Sequence, residues 1–165
     1  MAKTVFAKTA DVAAQWAKGE LEHARTGSNT TMRDGVLRSY GTPIAAIVTD
    51  PAGTRVALIS SKQWSSGTSK VQGEAYGAAR DLDLAIYRVP RLGCALDDIQ
   101  ANLAHYSQAI AETLDKLQRG RVTSAASYRQ AAGAMIATAR GYAERFAVAW
   151  AWEGPDPATV KHPKE

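Results

Sequence analysis

The chain has few of the residues that mark metal sites and familiar enzymes. It contains one cysteine, Cys94, so neither an internal disulfide framework nor a multi-cysteine zinc site can form. The three histidines, His23, His105 and His162, lack metal-ligand spacing on any one element, and we expect no metal and no cofactor. The Walker, dinucleotide-binding and nucleophile-elbow patterns are also missing. These absences disfavour an enzyme.

Long apolar runs and a strong charge imbalance are missing as well. No stretch approaches the roughly 20 apolar residues of a membrane span, and MAKTVFAKTADVAAQW lacks the apolar core of a secretory signal. We therefore expect a cytoplasmic protein with no membrane partner. The net charge is +4, with 12 Lys and Arg against 8 Asp and Glu in residues 1–95, and 8 against 8 in residues 96–165. This excess permits nucleic-acid binding and argues against an acidic DNA mimic.

Residues 1–92 have the composition of an α+β domain. TVFAK predicts a short strand, and TADVAAQWAK predicts a helix that breaks at Gly19 and continues towards Arg25. TGSNTT is interpreted as a loop. GVLRSYG, TPIAAIVTD, TRVALISS and DLAIYRV predict strands, with DPAG as a hairpin turn. We expect a small sheet of four or five mostly antiparallel strands with one or two helices.

Residues 93–152 predict a long antiparallel helical hairpin. Apolar residues recur every three or four positions from 96 to 117, and Gly120 suits a left-handed helix end. A second series runs from 128 to 149. The apolar faces offer a possible homodimer interface. The proline-containing tail, residues 153–165, has no apolar pattern and is predicted to be disordered.

The stretch SSGTSKVQGEA follows a predicted strand and precedes a predicted helix. Free N–H groups and the helix dipole would make it a phosphate cradle, whereas a capping hydroxyl from Thr68 would make it a plain helix start. Its spacing departs from the Walker pattern, because Lys62 and Thr68 stand where glycine and lysine are required. Trp64, beside Lys62 and Lys70, suits a stacking platform for single-stranded nucleic acid or a protein-contact hot spot.

Two other motifs carry candidate functional groups. Tyr40, in RSYGTPIA, ends a predicted strand and could stack on a base, carry a proton or pack against the domain. His23 and Arg25, in EHARTGSN, could bind phosphate or act as acid and base. The alternative for this pair is a solvated helix end where positive groups complement the dipole.

Short motifs in residues 5–80 resemble an uncharacterised domain of small bacteriophage and plasmid proteins. That domain reads W-A, A-R and Y-S-Y-G-x-H-F-x-I-A, followed by an aromatic-Ser pair and T-T-S-x-H. This chain has, in the same order, Trp16-Ala17, Ala24-Arg25, Ser39-Tyr40-Gly41, Ile44-Ala45, Trp64-Ser65 and Thr68-Ser69-Lys70. It departs from the pattern at Val71 and at Thr42-Pro43, where the domain has histidine and a His-aromatic pair. The resemblance implies a phage or mobile-element origin, and the missing histidines argue against catalysis.

These observations lead to one main hypothesis and three alternatives. The first is a non-enzymatic, phage-encoded protein that binds a host macromolecular complex in the host cytoplasm, as a takeover or anti-defence factor. The second is a direct nucleic-acid-binding protein, the third is a nucleotide- or RNA-directed enzyme using His23, Tyr40 and Ser69, and the fourth is a structural part of a virion. The predicted binding surface consists of Arg38, Tyr40, Lys62, Trp64, Thr68, Ser69 and Lys70, with His23 and Arg25 as secondary candidates.

Overall fold

The computed structural model describes residues 4–27 and 29–165. Contacts divide the chain into two compact units, residues 1–98 and 99–165. The described elements are β1 (Val5–Phe6), α1 (Thr9–Lys18), β2 (His23–Thr26), β3 (Thr30–Arg33), β4 (Val36–Ser39), β5 (Thr42–Thr49), β6 (Arg55–Ser60), α2 (Ser66–Asp81), β7 (Ala85–Val89), α3 (Leu96–Gln118) and α4 (Ala125–Arg145), with a short 3₁₀ helix (Pro157–Thr159). The predicted α+β class with a helical hairpin is confirmed.

The strands of the sheet lie side by side in sequence order, from β1 to β7. Pairs from β2 to β6 are antiparallel, whereas β1–β2 and β6–β7 are parallel and are joined through α1 and α2. Both crossovers start from strands of the same direction and step the same way along the sheet. The right-handed rule therefore places both helices on one face, and α1 and α2 do pack against each other.

Seven strands are found where four or five were expected, because the stretch after α1 is a hairpin. Gly19 (φ 70°) ends α1 as predicted, but the helix does not resume. Residues 23–26 form β2, which pairs with β3, so the predicted helical continuation towards Arg25 is wrong. The predicted loop TGSNTT shrinks to the connection between these strands, and its Ser28 lies outside the described residues.

The core of the first unit lies between the two helices and the sheet. Trp16 is its largest side chain, and its indole Nε1 donates to the backbone oxygen of Gly35 at 2.8 Å. Alanines occupy buried positions on the two helices: Ala13 and Ala17 on α1 and Ala75 on α2 are fully or almost fully buried. The small residues let the helices lie near the sheet while the tryptophan fills the remaining space.

The second unit contains most of α3, all of α4 and the segment after it. The apolar residues that recur every three or four positions along α3 are buried from Ile99 to Leu117, whereas Leu96, the first of the predicted series, is exposed. Gly120 (φ 65°) follows the end of the helix as predicted. Inside the unit, the amide of Asn102 donates to the hydroxyl of Tyr142 at 2.9 Å, with both residues fully buried. A buried polar pair of this kind favours one register of the two helices. Among the described residues, no helix has the length and apolar content needed to cross a bilayer.

Helix α4 ends at Arg145, earlier than the predicted series to residue 149. Ala147 adopts a left-handed φ of 55°, and Val148 N donates back to Ala143 O at 2.9 Å. This is the arrangement that usually has glycine at the left-handed position. Because alanine stands there, the sequence carries no stop signal.

The composition predicted disorder for residues 153–165, whereas the structure gives this segment defined contacts. Its Pro157, Val160 and His162 are buried. The guanidinium of Arg129 donates to Val160 O at 3.0 and 2.8 Å and forms an ion pair with Glu165. Val160 also joins the apolar cluster of the second unit. Buried side chains and the contacts of Arg129 therefore connect a segment with no apolar periodicity to the rest of its unit.

Candidate functional site

The predicted binding residues come from three segments that meet at one end of the sheet. Because β4, β6 and β7 run in the same direction, their carboxyl ends lie at that end, together with the start of β5. The first turn of α2, which follows β6, lies there too. The loop after a parallel strand and the start of its crossover helix commonly form a crevice in α/β sheets.

The turn between β4 and β5 consists of Tyr40 and Gly41. Their φ angles are 50° and 80°, which is the signature of a two-residue hairpin turn with both central residues left-handed. Glycine adopts this conformation freely, but a bulky tyrosine does so only at a cost. Tyr40 is nevertheless 70% exposed, so packing does not hold its ring in place. The chain therefore carries a strained and mostly exposed aromatic residue at this turn.

The turn is fastened to α2 by a buried pair of hydroxyls. Ser39 Oγ lies 3.2 Å from Thr68 Oγ1, and both side chains are buried. Thr68 also accepts a long hydrogen bond of 3.5 Å from Ser65 Oγ. This hydroxyl clasp, Ser39 and Thr68, explains why the predicted capping role of Thr68 is wrong. The helix begins at Ser66 with Ser65 at the cap position, and Thr68 points into a tertiary contact.

Beside the clasp, the chain forms an open cleft of about 410 Å³. Its walls include Pro43, Pro90 and Leu92 together with Lys62, Trp64 and Arg91. Two of the lining residues, Ser60 and Lys62, are tied to α2 by Gln72, whose amide donates to Ser60 O at 3.1 Å and to Lys62 O at 3.4 Å.

The charged and aromatic groups of the cleft are close together. Lys62 Nζ lies 6.0 Å from the centre of the Trp64 ring, at the outer limit of a cation–π contact. Arg91 Nη1 lies 3.6 Å from Asp98 Oδ1, and Asp98 itself is not part of the cleft wall. Among the residues that the structure describes, Nε1 of Trp64 has no hydrogen-bond acceptor although the atom is buried. An unmatched buried donor costs about 1–3 kcal/mol.

Six of the seven predicted surface residues belong to the turn, the clasp or the cleft or contact one of them; Lys70 does not. Tyr40 adjoins the clasp, and Ser69 Oγ donates to Trp64 O at 3.3 Å. Arg38 is paired in the ladder with Pro43, one of the cleft residues. Lys70 is exposed on α2 and forms a long ion pair of 4.0 Å with Glu74.

His23 does not belong to this group, whereas Arg25 is in register with Thr31 and, through it, with Arg38 two strands away. His23 is at the start of β2, in register with Arg33 and, through it, with Val36. It therefore lies about 10 Å along the strands and about 10 Å across them from the end of β4. The helix-end interpretation of this pair is wrong, and the combination of His23, Tyr40 and Ser69 is not assembled. Among the described residues, no cluster of His, Cys, Asp and Glu could hold a metal ion.

Sequence reasoning missed Ser39, Gln72 and Arg91. Arg91 follows Pro90 directly after β7, and a strand–helix–strand reading of residues 55–89 would have placed the ends of β6 and β7 together. Ser39 and Gln72 carry no such signal, because their contacts are tertiary. Comparison of the chain with protein-family models, curated proteins and solved structures returned no match.

Proposed function

We propose that this chain is a non-enzymatic binding protein that acts on a host macromolecular complex, through the surface formed by the Tyr40 turn and the start of α2. The proposal includes the phage or plasmid origin that the sequence resemblance implies. A homodimer through α3 and α4 remains a separate prediction.

The observation that carries the proposal is the exposed, left-handed Tyr40. A strained residue that is mostly exposed points to a use outside the fold. Tyrosine is among the residues enriched at the energetic centres of protein interfaces, because its ring buries much area at little entropic cost. The hydroxyl clasp ties the base of the turn to α2, and pre-ordering of this kind lowers the cost of presenting the ring to a partner.

Direct binding to nucleic acid is the second candidate, and a different observation favours it. Lys62 and Arg91 line the same cleft as Trp64, and the residues lining the cleft include no carboxylate. An aromatic face between cations suits single-stranded nucleic acid. Binding of that kind weakens steeply with salt, because phosphate contacts release counterions.

The test compares capture by the tagged wild-type chain, Tyr40→Asn and Asp34→Asn from nuclease-treated bacterial lysate. Asparagine tolerates positive φ, so Tyr40→Asn removes the ring and keeps the turn. Asp34 is the first residue of the comparable turn between β3 and β4. Asp34→Asn also places an asparagine at such a position and therefore serves as the matched control. We expect a stoichiometric protein band with the wild type and Asp34→Asn, and its loss with Tyr40→Asn.

Two outcomes count against the proposal. A band that persists with Tyr40→Asn would show that the turn is not the contact surface. If untreated lysate instead yields only nuclease-sensitive absorbance at 260 nm that falls with rising salt, nucleic-acid binding replaces the protein-directed function.

A further inference from the structure

The cleft at the ends of β6 and β7 combines three kinds of group in a small space. Trp64 supplies an aromatic face, and Pro43, Pro90 and Leu92 add apolar surface. Lys62 and Arg91 supply positive charge, and Thr42 supplies a hydroxyl. The volume of about 410 Å³ falls at the lower end of the range of roughly 300–1,000 Å³ usual for small-molecule sites.

The position of the cleft, like its composition, is typical of a ligand-binding site. It lies where two adjacent parallel strands end and where the loop after β6 leads into α2, the region of an open sheet in which ligands commonly bind. Gln72 holds both Ser60 O and Lys62 O, so the loop that carries Lys62 and Trp64 is tied to the helix. A site held in this way is largely formed before any ligand arrives.

The arrangement of charge and ring selects a ligand class. A ligand that satisfies the cleft needs a flat face for Trp64 and a negative group within reach of Lys62 and Arg91. A hydrogen-bond acceptor that reached the buried, unmatched Nε1 of Trp64 would also remove the cost of that donor. A nucleotide has all three features, with its base, its phosphate and the acceptors of its ring and sugar.

We infer that the cleft binds one nucleotide unit, with the base stacked on Trp64 and the phosphate held by Lys62 and Arg91. The ligand is either a free mononucleotide or one nucleotide of a single strand, which share this chemistry. The inference concerns the cleft and not the Tyr40 turn, so it goes beyond the host-directed function proposed above. It also gives the nucleic-acid alternative a specific binding position.

Calorimetric titration of the full chain with AMP tests the inference, with adenosine, inorganic phosphate and short single-stranded oligoadenylate as comparison ligands. We expect AMP to bind at least about tenfold more tightly than adenosine or phosphate, because each of these lacks one half of the recognised chemistry. Loss of the ring in Trp64→Leu weakens AMP binding roughly tenfold to a hundredfold, whereas Trp64→Phe keeps most of it. Arg91→Gln weakens it about fivefold.

Matched controls separate the site from general effects. Arg121→Gln removes an exposed arginine from the second unit and leaves AMP binding unchanged. Thermal unfolding of each variant identifies any that lose the fold, and in that case Arg91→Gln and Lys62→Gln carry the test. The same variants are also compared in capture from nuclease-treated lysate, so failure of the nucleotide site and failure of the host-directed function are distinguished in one set of proteins.

The comparison ligands show whether the cleft binds a nucleotide and whether that nucleotide is free or part of a single strand. Tighter binding of oligoadenylate than of AMP supports the inference and assigns the ligand to a single strand, whereas equal or tighter binding of AMP supports it and assigns a free nucleotide. The inference is overturned if AMP does not bind, if phosphate alone binds as well as AMP, or if folded Trp64→Leu binds AMP like the wild type.

Discussion

Two tight turns at opposite ends of β4 have the same backbone and different residues. Asp34 and Gly35, with φ of 52° and 75°, join β3 to β4, and Tyr40 and Gly41, with φ of 50° and 80°, join β4 to β5. Asp-Gly is a preferred pair for such turns, whereas Tyr-Gly is not. Both first residues are largely exposed, with the Asp34 side chain at 83% and Tyr40 at 70%. The two turns therefore have similar φ angles and exposure, and they differ in the side chain at the first position and in their contacts with the rest of the domain.

The two turns differ in how the rest of the domain holds them. Gly35 O accepts from Trp16 Nε1 at 2.8 Å and from Ile47 N at 2.9 Å, so the first turn is anchored in the core. The second turn is held by the hydroxyl clasp at its base and by Tyr40 N, which donates to Asn29 O at 2.7 Å. Local preference accounts for Asp34. Tyr40 goes against that preference, and an external role for its ring would account for it.

The largest difference between the turns is expected at their glycines. Alanine at a positive φ costs roughly 1–2 kcal/mol at either position. At Gly35 an added Cβ would also lie 3.2 Å from Ile47 O, whereas at Gly41 it meets nothing within 4 Å. We expect Gly35→Ala to lower the free energy of unfolding by about 2–3 kcal/mol and Gly41→Ala by about 1–2 kcal/mol. Equal losses in urea unfolding would show that the crowding against β5 has no effect.

The next largest loss of stability is expected at the hydroxyl clasp, which supports the Tyr40 turn. Ser39→Ala leaves the buried Thr68 hydroxyl with only its long contact to Ser65 and is expected to cost about 1–2 kcal/mol. Ser69→Ala, which removes an exposed hydroxyl, should cost less than about 0.5 kcal/mol. A double-mutant cycle with Thr68→Val measures the coupling directly. Additive losses would show that the two hydroxyls do not interact in solution.

Replacing the first residue of each turn should change the free energy of unfolding by smaller amounts, which are opposite in sign at the two turns. Asparagine adopts a left-handed conformation more readily than tyrosine, so Tyr40→Asn is expected to stabilise the domain by about 0.5–1 kcal/mol. Asp34→Tyr should destabilise it by a similar amount, about 0.5–1 kcal/mol. Equilibrium unfolding checks both values. A gain in stability together with loss of partner binding would identify Tyr40 as kept for function, whereas a loss of stability would mean that its ring packs in solution.

The smallest expected effect on stability lies outside both turns, at the ion pair between Arg129 and Glu165 in the tail. It depends on pH, unlike the effects at the turns. The hydrogen bond from Arg129, then that from His162 N, lowers the pKa of Glu165 from 4.5 to about 2. A lowered folded-state pKa contributes stability that is fully present above about pH 4.5 and is lost as pH falls towards 2.

Glu165→Gln should therefore reduce stability slightly at neutral pH and remove part of the loss between pH 4.5 and 2. Urea unfolding across this pH range measures the effect, with the exposed Glu153→Gln as control. Identical acid profiles for the wild type and Glu165→Gln would show that the ion pair does not form in solution.

The sequence was informative where short-range chemistry determines the structure. The turn DPAG and the apolar runs beside it predicted the β5–β6 hairpin, and Gly53 takes the expected positive φ of 82°. Gly19 and Gly120 predicted the ends of α1 and α3. The hairpin of β2 and β3 was missed because its exposed and polar residues hide the alternation, although Asp34-Gly35 was a strong signal for the β3–β4 turn that followed.

The candidate site was only partly predictable, because its main contacts are tertiary. The residue types at Tyr40, Lys62 and Trp64 suggested a binding surface. The pairing of Ser39 with Thr68 joins residues 29 positions apart, and no local pattern encodes it. The role of Thr68 was misread for the same reason, since a hydroxyl at a helix start has the same sequence signature whether it caps the helix or bonds to a strand.

The strand order of the sheet has a consequence for how the domain forms. Every strand pairs with its neighbour in the chain, so each pairing closes only a short loop or one helical crossover. Such local pairing keeps the relative contact order low for a sheet of this size, and low contact order goes with fast folding. The central strands can form as successive hairpins, and α1 with β1 and α2 with β7 can then add at the two edges. The parallel edge that completes the cleft would be among the last parts of the domain to assemble.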